Sequence, residues 1–308
     1  MKTCVIGAGT MGHGIAQVFA QAGHHVKLVD VSEEALRLAL IRIKRNLDLF
    51  VEAGLISSEE SMIALSRIEF TSEFEDLDDF EFATESVTED LNVKQQVFRK
   101  LDALVAKDAI LASNTSGLST TEIASVTKRP GRVIGTNWWN PPHIIPLVEV
   151  MRGEKTHDDT VQRTKEVLRR VGKRPILVLK PIRGFIGNRL QIALLREALY
   201  LLENGVASAE DIDTAVSYGP GFRYPVLGPF KTADFGGLDV FCHLSRDLFK
   251  ELDSSTEPQK VLTRLVEAQK LGVKSGEGFY KYSSRETSEM LKQRDRKLLQ
   301  ILKSATAE

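Results

Sequence analysis

Two cysteines, Cys4 and Cys242, are all that 308 residues contain. Thiols this few and this far apart exclude a disulfide scaffold and point to a reducing compartment; Cys4 reads as a small core residue of the first strand. No apolar run approaches the roughly 20 residues that span a bilayer. The first strand begins at residue 2, which leaves no room for a signal or transit peptide. The expected location is therefore cytoplasmic. An excess of one charge is missing too: 41 Lys and Arg stand against 42 Asp and Glu, for a net charge of -1. That balance favours neither nucleic acid nor an anionic membrane as a partner. There are no internal repeats and no low-complexity tracts, and no metal is expected. What is present is 42% apolar and 27% charged, a globular composition, in a chain long enough for two domains.

The first half alternates short apolar strands with helical stretches. Strand patterns fall at residues 2–6, 25–30, 68–71, 80–84, 110–112, 133–136, 147–151 and 175–179. Serines open two of the intervening helices: Ser32, followed by Glu33 and Glu34, and Ser57. A hydroxyl there accepts from a free backbone N–H, and acidic residues meet the positive helix end. This βαβ alternation predicts an α/β fold with a doubly wound, mainly parallel sheet. The character changes near residues 181–184, and beyond Asn188 the periodicity is helical only. The largely apolar stretch 189–203 predicts a buried helix ending before Gly205, and 230–252 predicts one long helix. The expected domains are residues 1–183 and an all-helical 184–308. Near the C-terminus, KQRDRKLLQILK is basic and amphipathic, with Leu298, Leu299 and Leu302 expected to pack inward.

The first strand runs straight into Gly7-Ala8-Gly9-Thr10-Met11-Gly12. Alone, GxGxxG is a weak signal. Here it follows a strand, opens a helix and is answered by Asp30 at the end of the second strand. Gly7 permits the tight turn, Gly9 lets a pyrophosphate approach the backbone, and Gly12 allows close packing of helix on sheet. Thr10 and Met11 carry the helix N-terminus that attracts the negative charge. The first domain is thus expected to be a Rossmann-type dinucleotide-binding unit. Asp30 is expected to accept from the adenosine ribose hydroxyls and to repel a 2′-phosphate, and no basic residue follows it before Arg37. The expected cofactor is NAD rather than NADP. A Gly-rich turn without ligand would leave Asp30 unexplained.

Residues 135–150, GTNWWNPPHIIPLVEV, read as a short strand, a sharp NPP turn and a second strand carrying Glu149. Glu149 stands among Ile144, Ile145, Leu147, Val148 and Val150, and a carboxylate buried there needs a partner. The natural partner is a histidine, oriented by the carboxylate and used as a proton shuttle. The position where that histidine is expected holds Asn137. An amide donates and accepts hydrogen bonds but exchanges no proton at neutral pH. His143 lies beyond two prolines and reads as a pocket or interface residue. Ser113-Asn114-Thr115-Ser116-Gly117 follows another strand, and such side chains suit a polar substrate; capping of the next helix by Ser119 or Thr120 is the plainer reading. Glu85, Glu89 and Lys94 stand just after a strand end and, by spacing alone, read as a solvated helix start.

Taken together, GAGTMGHGIAQ, the strand of Asp30, TESVTEDLNVKQ, SNTSGL, NWWNPP with VEV, GFIGNRL, GPF with GGLD, and LGVKSGEGFYKY resemble the 3-hydroxyacyl-CoA dehydrogenase family, in order and over nearly the whole chain. The resemblance implies a Rossmann domain, a helical C-terminal domain that forms a homodimer, and NAD chemistry at a 3-hydroxyl carbon. It implies that Ser116 touches the substrate oxygen, Glu149 holds the catalytic histidine and Asn188 completes the site. Glu89 and Lys94 would lie near the nicotinamide ribose, with Asn114 also on the cofactor. The family's histidine falls on Asn137. A second departure is GPGFRYPVLGPF, where Arg223-Tyr224 resembles the branch acting on free hydroxy acids, that of carnitine dehydrogenase and lambda-crystallin. NPPHIIP is similar to a relative that oxidises a carboxylated pyridine. Arg223 would grip a carboxylate bidentately, with Asn140 also on the substrate.

The expected function is hydride transfer between NAD and the 3-hydroxyl carbon of a 3-hydroxyacyl-CoA or a free 3-hydroxy acid. Loss of the base typically costs about 10²–10⁴ in rate, so turnover is expected to be impaired. Asn137 reads as a substitution made to trap a complex, or as a natural variant with another proton path, such as a water held by Glu149. An amine or imine substrate, and a non-catalytic NAD-binding protein of the crystallin kind, are the alternatives.

Overall fold

Residues 1–306 are described, in a computed structural model of the chain. Eight strands form one sheet: β1 (Lys2–Ile6), β2 (His25–Val29), β3 (Ile68–Thr71), β4 (Phe82–Glu85), β5 (Ile110–Asn114), β6 (Val133–Trp138), β7 (Leu147–Arg152) and β8 (Arg174–Val178). Their order is β3-β2-β1-β4-β5-β6-β7-β8. The chain winds outward from β1 on one side and from β4 on the other, so a crevice opens between them at the carboxyl ends. Every neighbouring pair is parallel except β6 with β7. The link between those two strands is too short for the dozen or more residues of a parallel crossover, so the chain returns as a hairpin. That return sets Asn137 directly opposite Glu149. β6 also runs beyond residue 136, so Asn137 is a strand residue and not the start of the turn.

Helices cover both faces of the sheet, and the strands are buried accordingly. Val5, Ile15, Phe19, Leu28, Ile43 and Trp138 belong to one core cluster. Cys4, Phe98, Leu101, Leu111 and Ile123 belong to another. α1 (Gly12–Gln21) follows the glycine loop. α2 (Glu33–Glu52) is capped by Ser32, whose hydroxyl accepts from Ala35 N at 3.2 Å. α3 (Ser58–Ser66) starts with a complete capping box of Ser57 and Glu60. Asp90 caps α4 (Leu91–Leu104), and Ser119 caps the short α5 (Thr120–Ala124). α6 (Asp158–Arg170) leads into β8.

The chain divides into two compact units, Met1–Ile186 with Asp295–Thr306, and Gly187–Arg294. The second is helical, with α7 (Gly187–Glu203), α8 (Ala209–Tyr218), α9 (Pro220–Arg223), α10 (Pro229–Gly236), α11 (Leu238–Leu248), α12 (Lys260–Glu267) and the first part of α13 (Ser284–Thr306). Two expectations fail here. The single helix over 230–252 is broken at Gly237, whose φ of 93° no right-handed helix accepts. The helix over 189–203 is not buried: α8 and α12 pack against it, yet Leu190 and Ile192 remain 61% and 57% exposed. Its apolar residues outnumber what its neighbours within one chain cover. At the end of α13, Leu299 is fully buried beside Leu49, Phe50 and Ile144, with Leu298 and Leu302 against them. No described helix is long and apolar enough to cross a membrane.

Candidate active site

The crevice at β1 is built on two glycines that have no alternative, Gly7 and Gly12. Gly7 has φ 103°, and a Cβ there would lie 2.5 Å from Ser86 O. A Cβ on Gly12 would lie 1.7 Å from Gly7 O, so the start of α1 presses directly on the loop. Gly9 faces open space. α1 has neither a side-chain cap nor an acidic residue in its first turn, which leaves its N-terminal field for an anion. His13 on this turn places Nδ1 2.8 Å from Gly9 O, and burial holds its imidazole below its ordinary pKa. Asp30 is fixed at both oxygens: Oδ2 accepts from Ala8 N at 2.7 Å, and Oδ1 from Ser32 N at 2.9 Å. A cavity of about 520 Å³ opens here, lined by Gly7, Gly9, Asp30, Phe74, Val87 and Lys100 among others. Lys100 Nζ lies 5.6 Å from the centre of the Phe74 ring. Apolar walls, an oriented carboxylate and an uncapped helix fit the adenosine and diphosphate of NAD.

Across the crevice, the ends of β4 and β5 are tied by one buried lysine. Lys94 Nζ donates to Glu85 Oε1 at 2.8 Å and to Asn114 O at 2.9 Å, and lies 3.2 Å from Glu89 Oε2. Three acceptors match three ammonium hydrogens. Glu85 also accepts from Val87 N at 2.7 Å and Ser113 Oγ at 2.6 Å. Burial pushes the Glu85 carboxyl upward, against Lys94, Ser113 and Val87. Glu89 accepts from Thr115 Oγ1 at 2.5 Å and Ser116 N at 2.8 Å. Burial opposes its charge too, but Thr115, Lys94 and Ser116 N together hold its carboxyl below the ordinary range. Asn114 Oδ1 accepts from Trp138 N at 3.1 Å, and its Nδ2 donates to Ser86 Oγ at 3.2 Å. The solvated helix start read from spacing is therefore wrong for Glu85 and Lys94, both fully buried. Lys94 turns inward as a brace, while Glu89, its side chain exposed, stands at its open end.

The third element is the hairpin. Glu149 is fully buried, and Asn137 is only 4% exposed. Asn137 Nδ2 donates to Glu149 Oε2 at 2.7 Å, Trp139 Nε1 to the same oxygen at 3.3 Å, and Ile186 N to Oε1 at 2.8 Å. Trp139 and Ile186 were not legible as partners; the Trp-Trp pair next to a buried glutamate was the available signal. Ser116 is exposed at the end of the β5 loop, and Asn140 is exposed before the cis peptide to Pro141. Asn188 and Arg223 belong to the helical unit, at the start of α7 and the end of α9, with Arg223 exposed. No group of three or more potential metal ligands occurs among the described residues.

A Rossmann sheet with this cradle, followed by a helical unit, defines an NAD-dependent dehydrogenase class of protein. Residues 2–182 match the model of the 3-hydroxyacyl-CoA dehydrogenase NAD binding domain, and residues 184–282 that of the C-terminal domain. The chain belongs to the 3-hydroxyacyl-CoA dehydrogenase family. It is 35% identical over 298 residues, 96% of each chain, to 5-formyl-3-hydroxy-2-methylpyridine 4-carboxylate 5-dehydrogenase of Mesorhizobium japonicum. It is 39% identical to 3-hydroxybutyryl-CoA dehydrogenase of Clostridioides difficile, over 92% of this chain and 100% of that one. A crystal structure of a 5-formyl-3-hydroxy-2-methylpyridine 4-carboxylic acid 5-dehydrogenase, described as an NAD+ dependent dismutase, superposes with a TM-score of 0.90 at 35% identity, covering 99% and 98% of the two chains.

Proposed function

We propose that the chain transfers a hydride between NAD and the 3-hydroxyl carbon of a 3-hydroxyacyl-CoA or a free 3-hydroxy acid, slowly, because Asn137 replaces the proton carrier. The observation that carries this is the Asn137–Glu149 hydrogen bond at 2.7 Å. A histidine Nδ1–H at that position would donate to the same carboxylate and aim its other nitrogen into the site. The cofactor, when bound, supplies the hydride acceptor. Glu149 holds the side chain at 137, Ser116 would offer a hydroxyl to the substrate oxygen, and Glu89 and Asn114 would stand near the nicotinamide end of the cofactor. Asn137 orients the substrate oxygen but removes no proton from it, which is the step that general bases accelerate.

The free-acid branch draws support from Arg223 and from the carboxylated pyridine that the name of the Mesorhizobium relative gives as its substrate. The homodimer is part of this proposal: Phe222, Phe230, Phe235 and Phe249 of the helical unit are all exposed in the single chain, and large apolar side chains left exposed together favour a protein partner.

One second reading has an observation behind it. Asn137 Oδ1 has no hydrogen-bond partner among the described residues and is an acceptor. An iminium N–H would suit it, and hydride addition to an iminium carbon yields the amine with no proton transfer. Assay of NADH consumption separates the two readings. Oxidation of NADH by a 3-oxoacyl-CoA or free 3-oxo acid supports the first. Activity confined to imines overturns it.

A further inference from the structure

The turn that joins Asn137 to Glu149 is gripped from behind by a lysine that pairs with no carboxylate among the described residues. Lys173 follows Gly172, where the chain leaves α6 with φ 79° and reverses into β8. The reversal is held by Lys173 N donating to Leu168 O at 2.9 Å and Arg174 N donating to Pro146 O at 2.8 Å. The Lys173 side chain then runs inward, and the residue is 5% exposed. Its Nζ donates to Pro142 O at 2.6 Å and to Ile145 O at 2.9 Å, and lies 5.5 Å from the centre of the Trp138 ring. Among the described residues this ammonium meets two carbonyls and an aromatic face.

The opposite side of the same turn is a close fit. A Cβ on Gly14 of α1 would lie 2.7 Å from Pro142 Cγ and 3.1 Å from His143 Nδ1. α1 is also the helix whose uncapped N-terminus would face the diphosphate of NAD. The turn is thus clamped between the cofactor helix and Lys173, with Asn137 just before it and Glu149 just after it. Moving it displaces both ends of the hydrogen bond that defines the site, and a misplacement of about 1 Å at reacting groups can cost 10²-fold in rate.

We infer that Lys173 is a positioning residue: its ammonium fixes the β6–β7 turn and thereby the orientation of the side chain at 137 against Glu149. Burial alone brings its pKa down to about 7. The other charged or titratable groups lining the adjoining cavity of about 300 Å³ are His143 on the turn and Arg170 on α6, and no carboxylate lines it. Loss of the proton leaves two N–H groups for the two carbonyls but turns a lone pair toward the Trp138 ring. The grip then loosens without opening. This inference concerns the same hairpin as the proposed function, but its principal test does not need turnover.

The chain contains two tryptophans, Trp138 and Trp139. In Trp139→Phe the emission reports Trp138 alone. Raising the pH from 5.5 to 9 is expected to give one emission transition centred near 7, retained in Trp139→Phe, His143→Gln and abolished in Trp139→Phe, Lys173→Met. No transition, or one that His143→Gln abolishes and Lys173→Met retains, overturns the inference. The functional arm uses the Asn137→His chain. Adding Lys173→Met should lower kcat at least tenfold while KM and NADH affinity stay within twofold. Lys173→Gln, which keeps two N–H donors without the charge, should fold and bind NADH, lose the emission transition and recover part of kcat. If Lys173→Met leaves kcat unchanged, the positioning role fails. If Asn137→His is inactive, the proposed function fails and the emission arm still decides the role of Lys173.

Discussion

Asn137 Nδ2 and Glu149 Oε2 are 2.7 Å apart, and the two residues are direct partners across the antiparallel pairing of β6 and β7. The hairpin return places them on one face at the closest cross-strand spacing, so any donor at 137 reaches the carboxylate without rearrangement. Asn137→His is therefore expected to raise turnover by about 10²-fold or more. Glu149 would orient the imidazole and stabilise its charged form, so the gain should vanish in Asn137→His, Glu149→Gln. NADH affinity should stay level in both variants, because Gly7 to Gly12 and Asp30 lie on other strand ends. No gain with any hydroxy acid or hydroxyacyl-CoA would remove the missing-base account.

The sheet was legible because its causes are local. Short β-branched strands, capping serines and GxGxxG each fix one element, and Asp30 fixes the ligand class. The antiparallel step at β7 was not read from the sequence, although the short NPP link carries its signal. Lys94 was misread because spacing shows a charge at a helix start but not that the helix turns that face onto Glu85 and Asn114. Lys173 gave no signal at all, since its partners are backbone carbonyls that no side-chain pattern announces. The break at Gly237 hides in a GG pair inside an apolar run, and the exposure of α7 depends on which helices pack against it, which no periodicity reveals.

Asp30 should set the choice of cofactor. Arg37, the first basic residue after it, is paired with Glu34 at 2.6 and 2.7 Å, a carboxylate that competes with a 2′-phosphate for it. NADH is expected to bind more tightly than NADPH by fluorescence titration. Asp30→Ala should narrow the gap, because it removes the repelling carboxylate while Lys100 remains in the same cavity. Equal affinities in the unaltered chain would refute this.

Arg223 should recognise an acidic group on the substrate. Arg223→Leu is expected to raise KM for a free hydroxy acid several-fold and to leave NADH affinity unchanged. An unchanged KM would reduce Arg223 to its place at the end of α9.

A homodimer should form through residues of the helical unit. Leu190 and Ile192 on α7, with Phe230 and Phe235 on α10, are exposed in the single chain. Sedimentation at micromolar concentration should show twice the chain mass. Charged substitutions at Leu190 and Ile192 should shift it toward monomer; a monomer before any substitution would end this proposal.

Lys173 should leave a pH signature in stability as well as in emission. Its folded pKa, about 7, lies below the ordinary 10.5 of a lysine. Below pH 7 both folded and unfolded chains carry the proton, and the folded chain bears the full cost of the buried charge. Between pH 7 and 10.5 the unfolded chain holds more protons, so stability rises with pH, by at most about 1.4 kcal/mol per unit. Lys173→Met removes the group and with it this slope. From pH 7.5 to 9 the unaltered chain should therefore gain about 2 kcal/mol relative to Lys173→Met in urea unfolding. The comparison cancels the other titrating groups, which both chains share. A difference that stays constant over this range would mean that Lys173 keeps its proton in the folded chain, which would overturn the pH-dependent grip together with its emission transition.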